Sequence, residues 1–299
     1  MAGYDLTGTP RQRGQRFAGD SYKFIEMLIY KYMPTERFFT NFKLRFTPPD
    51  DLNDPLELVP HVRIVDPEGY ARNITERNIE SLITRFQIEH PDVPPEEVRA
   101  RCTWAAEQYE KTLDTMAKER EHFDSFMKVT NEFVGVLSLT TAPTNAAMWA
   151  HYADMYKGLA VGFDSESNFF RRAKGEPKQT GELMQVSYTN TPPIAYVEPG
   201  KINYPPELFF TKAKCWEYEQ EWRMIKYLPN AQDVIERSGG RPIHLFDVPP
   251  DTVKEVVFGF KMSPEARAVV EAALAERAPH VAKKKIEFVP NFGLQVMDC

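Results

Sequence analysis

Charged residues occupy every second position in the segment EQEWR at 219–223. Residues two apart point to the same side of an extended chain, so Glu219, Glu221 and Arg223 are expected to share one face of a strand, with Trp222 on the other. A glutamate oriented by an arginine can bind a ligand hydroxyl or stabilise a developing positive charge. The alternative is a surface strand whose Glu–Arg pairs contribute about 0–1 kcal/mol each. The aromatic neighbours favour a cleft wall, with Glu219 and Glu221 as candidate catalytic residues.

Aromatic side chains and a histidine occur together at 148–153, in the sequence MWAHYA. Helical spacing places Trp149, Tyr152 and Tyr156 on one face and turns His151 aside. These side chains form either a ligand-contacting surface or a buried aromatic face with a hydrogen-bonded histidine. Both interpretations remain open from the sequence alone.

Prolines bracket an acidic loop, TPPDDLNDP, at 47–55. Proline fixes φ, and Asp and Asn side chains hydrogen-bond to the nearby backbone, so this loop is expected to hold one conformation. Asn53 and Asp54 are therefore candidate binding residues.

Several motifs that would define a chemistry do not occur in the sequence. There is no phosphate-binding GxxxxGK[ST] loop, no dinucleotide-binding GxGxxG, no GxSxG and no HExxH. The six histidines are scattered, and the three cysteines show no metal-ligand spacing, so no metal is expected. Cysteines that are few, distant and odd in number indicate a reducing cytoplasm.

The composition limits the class of protein. The chain has 299 residues, 42% of them hydrophobic and 27% charged, with a formal net charge of −6. This negative balance argues against a protein that mainly coats a nucleic-acid backbone. The longest apolar stretches are strand-sized and far short of the roughly 20 residues that span a bilayer, so we expect a soluble protein without a membrane partner. No secretory signal is evident, which favours a cytoplasmic location.

The hydrophobic pattern predicts an α+β fold with a mixed, largely antiparallel β-sheet core. Residues 1–20 are expected to be a flexible N-terminal segment, and 21–299 a single domain. Apolar residues at three- and four-residue spacing predict a helical insert of two or three helices at about 73–132, with Asp92 or a neighbour as a cap. The predicted strands are 41–46, 133–139, 158–164, 182–188, 222–227, 243–248, 253–258 and 285–289, and the other predicted helices are 145–156 and 263–277.

Four motifs, taken in order, resemble an uncharacterised bacterial family, a domain of unknown function. They are Tyr30–Lys31–Tyr32, then LRF with LNDP at 44–55, then MWAHYA with GLAVGFD at 148–164, and finally Lys214, Trp216 and EQEWR. The resemblance covers roughly 28–290 and implies no established activity. The candidate ligand-binding residues are Tyr30, Lys31, Tyr32, Asn53, Asp54, Trp149, His151, Tyr152, Lys214 and Arg223.

A more distant resemblance is to ADP-ribosyltransferases, which bind NAD in the cleft of a split β-sheet without a Rossmann motif. The resemblance implies that a late strand glutamate engages the nicotinamide ribose and stabilises an oxocarbenium-like state. Glu221 matches this residue, and Glu219 completes an E-x-E pair. The early position is Tyr30–Lys31–Tyr32 rather than His or Arg, and no Ser-Thr-Ser segment follows. The resemblance would require Asn53, His151 or Tyr152 to replace those contacts.

Three functions follow as hypotheses. The first is an NAD-dependent ADP-ribosyltransferase-like enzyme, a toxin or phage-defence effector acting on protein or nucleic acid, with the helical insert as a lid or partner surface. The second is a binding module without turnover. Its pocket would be formed by Asn53, Asp54, Trp149, His151, Glu221 and Arg223. The third is a metal-dependent hydrolase or nuclease. Its ligands would be Asp50, Asp51, Asp54 and Glu221.

Overall fold

The computed structural model describes residues 27–172, 180–290 and 293–299. The predicted flexible segment 1–20 lies outside the described residues, and the single-domain organisation of 21–299 stays a prediction. The strands in chain order are β1 (Leu28–Met33), β2 (Lys43–Phe46), β3 (His61–Ile64), β4 (Val134–Thr140), β5 (Leu159–Asp164), β6 (Leu183–Gln185), β7 (Ser187–Thr189), β8 (Ile194–Glu198), β9 (Lys201–Asn203), β10 (Thr211–Ala213), β11 (Glu221–Tyr227), β12 (Asp233–Ile235), β13 (Ile243–Asp247), β14 (Val253–Phe258), β15 (Ala282–Val289) and β16 (Gly293–Asp298). The α-helices are α1 (Phe38–Asn41), α2 (Pro67–Glu89), α3 (Pro95–Thr112), α4 (Thr115–Phe133), α5 (Ala146–Tyr152) and α6 (Pro264–Arg277).

An eight-stranded sheet forms the centre of the fold, in the order β16-β15-β14-β5-β1-β4-β11-β6. The β14–β15 pair is parallel and the other neighbouring pairs are antiparallel. The predicted mixed, largely antiparallel α+β fold is therefore confirmed. The predicted strand 285–289 is part of β15, which begins three residues earlier at Ala282. The edge of the sheet next to β15 is formed by β16. Smaller sheets join β10 to β7, β12 to β13 and β2, and β3 to β8 and β9.

The central sheet is barely joined between β1 and β4. Strand β1 pairs along its whole length with β5, from Leu28 opposite Asp164 to Met33 opposite Leu159. With β4 the described register contains one pair, Tyr30 opposite Thr140. The sheet is split at this boundary, and the split leaves room for a cavity between neighbouring strands.

Aromatic residues pack one face of the sheet against two helices. Phe38 from α1 meets Phe163 from β5 edge to face at 5.8 Å, and Val270 and Leu274 from α6 belong to the same cluster. Helix α6 begins where predicted, because the Ser263 hydroxyl accepts a hydrogen bond from the Ala266 N–H at 3.2 Å. Burial of these side chains holds β1 and β5 in fixed positions beneath the cavity.

Three helices, α2 to α4, occupy 67–133 and begin six residues before the predicted insert. Asp66 accepts a hydrogen bond from the Gly69 N–H at 2.9 Å, and Pro67 follows in the first turn, so the cap precedes the apolar repeat. The predicted cap of α3 is Asp92 or a neighbour; the N-cap is Pro94, two residues after Asp92, and its side chain makes no capping hydrogen bond. Among the described residues, no helix is both long enough and apolar enough to cross a membrane.

Helix α5 ends four residues before the predicted end at 156. Asp154, Met155 and Tyr156 adopt positive φ values of 44°, 52° and 71°, which no α-helix can continue. This left-handed turn leads directly into Gly158. A Cβ atom at Gly158 would lie 2.1 Å from the Met33 carbonyl oxygen, so only glycine lets the chain pass this close to β1.

Candidate functional site

A cavity of about 210 Å³ opens at the split between β1 and β4. Strands β1, β4 and β11, helix α5 and the loop after β2 all contribute to its wall, and no described residue of α2–α4 does. The lining residues are Tyr30, Lys31, Tyr32, Arg45, Thr47, Asp51, Leu52, Asn53, Val136, Ser138, Leu139, Thr140, Met148, Tyr152, Lys212, Glu219 and Glu221.

A buried lysine joins the two candidate catalytic carboxylates. The Nζ atom of Lys212 lies 2.6 Å from Glu219 Oε2 and 3.1 Å from Glu221 Oε2. The same nitrogen is 3.7 Å from Glu57 Oε2, on the loop after β2. All four side chains are buried, so each charge depends on the others for stabilisation.

Arg223 holds Glu221 from the side away from the cavity. Its Nε lies 2.7 Å from Glu221 Oε1, and its Nη2 lies 3.0 Å from Glu221 Oε2. The guanidinium also pairs with Glu57 and donates to the Phe209 carbonyl oxygen at 2.9 Å. Arg223 is fully buried and does not line the cavity. In this position Arg223 fixes the Glu221 carboxylate and does not reach the cavity.

Glu219 and Glu221 reach Lys212 from two different backbone conformations. Glu221 begins β11, as predicted, whereas Glu219 ends a 3₁₀ helix at Lys214–Glu219. The prediction that Glu219 is part of an extended strand is therefore wrong. Gln220 between them has a left-handed φ of 46°, and this turn directs both carboxylates towards one ammonium group.

Tyr152 connects the carboxylates to the loop after β2. Its hydroxyl donates to Glu219 Oε1 at 2.6 Å and accepts a hydrogen bond from Asn53 Nδ2 at 2.8 Å. The structure thus brings together three of the predicted site residues, Asn53, Tyr152 and Glu219. Burial and the hydrogen bond to Glu219 raise the pKa of Tyr152, so its phenol stays protonated and serves as a donor.

Burial and charge act in opposite directions on the cluster. Burial lowers the pKa of Lys212, but the Glu221 and Glu219 carboxylates outweigh it and leave the pKa above its ordinary value. Burial raises the pKa of Glu221, and the Lys212 ammonium opposes this shift. Lys212 therefore stays charged near neutral pH and favours the ionised form of the carboxylate beside it.

Lys31 supplies a second cation to the cavity. Its Nζ donates to the Ser138 carbonyl oxygen at 2.8 Å, across the split between β1 and β4. Burial lowers the pKa of Lys31 from 10.5 to about 8, although the Glu221 carboxylate opposes the shift. Tyr30 and Tyr32 also line the cavity. The Tyr30 hydroxyl donates to Glu255 Oε1 at 2.9 Å, and the Tyr32 hydroxyl donates to the Ala142 carbonyl oxygen at 2.7 Å.

The stability contributed by Lys31 is expected to depend on pH. With a pKa of about 8 in the folded state and 10.5 as the reference for the unfolded chain, the unfolded state binds more protons between these values. The free energy of unfolding of the wild-type protein is therefore expected to rise, relative to that of Lys31→Met, as the pH increases from about 8 to 10.5. Urea unfolding at pH 7 and pH 10 measures the difference, with the exposed Lys157→Met as the matched control. A wild-type-minus-Lys31→Met difference that does not change with pH would contradict this expectation.

Other predicted site residues lie outside the cavity wall. Trp149 is fully buried, and its indole N–H donates to the Pro143 carbonyl oxygen at 2.9 Å, so its role is packing. Tyr156 lies beyond the helix end, although its ring stacks on Trp149 at 5.9 Å. His151 and Lys214 are exposed and do not line the cavity, so the structure does not bring these two predicted binding residues to this pocket.

The acidic loop is held by its own partners. Asp54 is buried and accepts a hydrogen bond from the Leu56 N–H at 2.9 Å. Asp50 lies 2.6 Å from Arg241 Nη2, and Asp51 pairs with Arg45 and Arg237. In the part of the chain that the structure describes, no group of three or more His, Cys, Asp or Glu side chains is placed to hold a metal ion.

Lys212 and Glu57 are the important residues that the sequence motifs did not identify. Lys212 occupies the middle of the short strand β10, two residues before the predicted Lys214. The chain turns into the 3₁₀ helix at Lys214, so the second lysine leaves the strand and points elsewhere. The signal in the sequence for Lys212 is its position a few residues before the acidic motif EQEWR, where a lysine can pair with the carboxylates. Glu57 gave none, because a loop residue is positioned by distant contacts.

One family model matches part of the chain. Residues 148–224 match the model of a family described as "Protein of unknown function (DUF2971)". This confirms the predicted resemblance to an uncharacterised domain of unknown function. The DUF2971 match includes Tyr152, Lys212, Glu219, Glu221 and Arg223, but it does not extend to β1 or to the loop that carries Asn53 and Glu57. No curated protein and no solved structure matches the chain.

Proposed function

We propose that this protein cleaves the bond between nicotinamide and ribose in NAD and transfers ADP-ribose to an acceptor. The observation that supports this best is the pair of buried carboxylates, Glu219 and Glu221, in the wall of a cavity where the central sheet is split. Their placement suits a reaction in which positive charge develops on a sugar ring.

The cavity size limits how NAD would bind. Small-molecule sites have volumes of about 300–1,000 Å³. The cavity of about 210 Å³ is smaller than this range, so we propose that it holds only the nicotinamide–ribose end of NAD, with the adenine end outside. Lys31 and Arg45 both line the cavity and would supply positive charge for the pyrophosphate.

The charge balance of the cluster favours the proposed transition state. Three carboxylates, from Glu57, Glu219 and Glu221, face two cations, from Lys212 and Arg223. The carboxylates thus outnumber the cations bound to them, and this arrangement would favour an oxocarbenium-like ribose. As the carbon–nitrogen bond breaks, its electron pair leaves with neutral nicotinamide. The acceptor then forms the new bond to ribose, and a proton passes from the acceptor to a carboxylate.

The test is release of nicotinamide from NAD by purified protein, with and without a bacterial lysate that supplies protein and nucleic-acid acceptors. We expect Glu221→Gln and Glu219→Gln each to lower the rate by about 10²-fold, since each removes a charge aimed at the transition state. The exposed Glu236→Gln is the matched control and is expected to keep the wild-type rate. Thermal unfolding checks that each variant is folded. Absence of nicotinamide release by the wild-type protein, or full rates in folded Gln variants, would reject the proposal.

A second candidate is a binding module without turnover. It is favoured by one observation: Glu219 and Glu221 are already engaged by Lys212, Tyr152 and Arg223, as in a structural network. This alternative expects saturable NAD binding with no product in the same assay.

A further inference from the structure

A second cavity of about 380 Å³ lies on the other side of Lys212 from the first. Lys212 is the one residue that lines both cavities among those described, and Glu57 also borders the second. The volume is within the range of about 300–1,000 Å³ that is typical of sites for small molecules. The cavity is thus large enough for a ring-sized ligand of its own.

The interior of the second cavity is mainly apolar. Leu58 and Leu208 line it and are each 2% exposed. Leu56, at the opening, is 78% exposed, an unusual position for a leucine beside a concave surface. An apolar ring placed here would contact both buried leucines and cover Leu56, and removal of this surface from water would favour binding.

The polar groups of the second cavity favour an acidic ligand. Lys214 and His61 line the opening and are exposed. The carboxylate that borders the cavity, Glu57, is buried against Arg223 and Lys212, so its charge is already compensated. A ligand with an anionic group at the opening would meet the Lys214 ammonium without a competing free carboxylate in the wall.

We propose that the second cavity is a binding site for a small acid that carries an apolar ring, with the ring against Leu58 and Leu208 and the acidic group at Lys214. This site goes beyond the proposed function and does not depend on it. It also assigns a role to Lys214, which the first cavity does not use.

The probe for the test is 8-anilino-1-naphthalenesulfonate, whose fluorescence rises in apolar surroundings and whose sulfonate supplies the acidic group. We expect saturable binding to the wild-type protein. Ala213→Phe places a ring at the exposed wall of the cavity and is expected to weaken binding about tenfold or more. Lys214→Glu reverses the charge at the opening and is expected to weaken binding about five- to tenfold. The uncharged analogue N-phenyl-1-naphthylamine should be insensitive to Lys214→Glu.

A control variant separates this cavity from the exposed aromatic surface elsewhere. Phe288 is 64% exposed and contacts Phe260, and this surface is the competing place for an apolar probe. Phe288→Ser is expected to leave the affinity unchanged. Loss of binding in Phe288→Ser, or full affinity in folded Ala213→Phe and Lys214→Glu, would overturn the proposal. Both cavity substitutions are at exposed positions, and thermal unfolding verifies their fold.

Discussion

Replacement of Arg223 by methionine is expected to lower the free energy of unfolding by about 3–5 kcal/mol. Arg223 is fully buried and pairs with both Glu221 and Glu57, whose carboxylates are buried as well. Methionine fills a similar volume but leaves the Glu57 and Glu221 carboxylates to share Lys212 with Glu219. The cost arises from these uncompensated charges, because a buried pair is damaged most when one partner is removed.

Urea unfolding followed by circular dichroism measures this effect. Arg99→Met is the matched control, since Arg99 pairs with Glu80 at 2.9 Å but both side chains are exposed, with values of 58% and 68%. The control is expected to change stability by about 0–1 kcal/mol. Arg223→Lys keeps the charge but loses the forked contact with Glu221, so its stability is expected to lie between wild type and Arg223→Met. Equal effects of Arg223→Met and Arg99→Met would contradict the role of burial.

Replacement of Gly158 by alanine is expected to destabilise the protein by about 3 kcal/mol, at the upper end of the range for overpacking. The added methyl would lie 2.1 Å from the Met33 carbonyl oxygen and 3.0 Å from Pro34 Cα. These are backbone atoms, which cannot move aside as a flexible side chain can. Relief of the contact requires β5 to shift against β1, and β1 forms one side of the first cavity.

Gly240→Ala is the matched control for Gly158→Ala. A methyl at Gly240 would meet the end of the flexible Arg237 side chain at 3.3 Å, which can rotate away. Its effect on the unfolding free energy is expected to stay within about 0.5 kcal/mol. A Gly158→Ala protein as stable as Gly240→Ala would show that β5 tolerates the shift.

Predicted segments overlap nine of the sixteen described strands, those whose side chains alternate or form short apolar runs, although the predicted strand 182–188 is two strands, β6 and β7, in different sheets. The predicted strands at 133–139, 158–164, 222–227 and 253–258 coincide with β4, β5, β11 and β14 to within a residue. The end of α5 could not be predicted, because Asp154, Met155 and Tyr156 are ordinary residues in left-handed conformations. Left-handed conformations at non-glycine residues have no clear signal in the local sequence.

The sequence predicts those parts of the candidate site in which the two-residue period of a strand determines where side chains point. Glu221 and Arg223 are two apart in a real strand, so their contact followed from strand geometry. The contact of Glu219 with Lys212 depends on the left-handed conformation of Gln220, which the sequence does not indicate. The contact of Glu57 with Arg223 depends on a loop that is distant in the sequence. The sequence leaves the roles of Trp149 and His151 open, because aromatic and imidazole groups serve packing and binding equally well and only tertiary contacts separate these roles.

Lys212 lies in the wall of both cavities, so a ligand bound in one would be able to affect binding in the other. A ligand in the second cavity that draws the ammonium group towards itself changes how firmly Glu219 and Glu221 are held in the first. By reciprocity, a ligand that contacts those carboxylates must alter affinity in the second cavity by the same factor. Lys212, a single side chain on β10, would then couple the two cavities without movement of the strand that carries it.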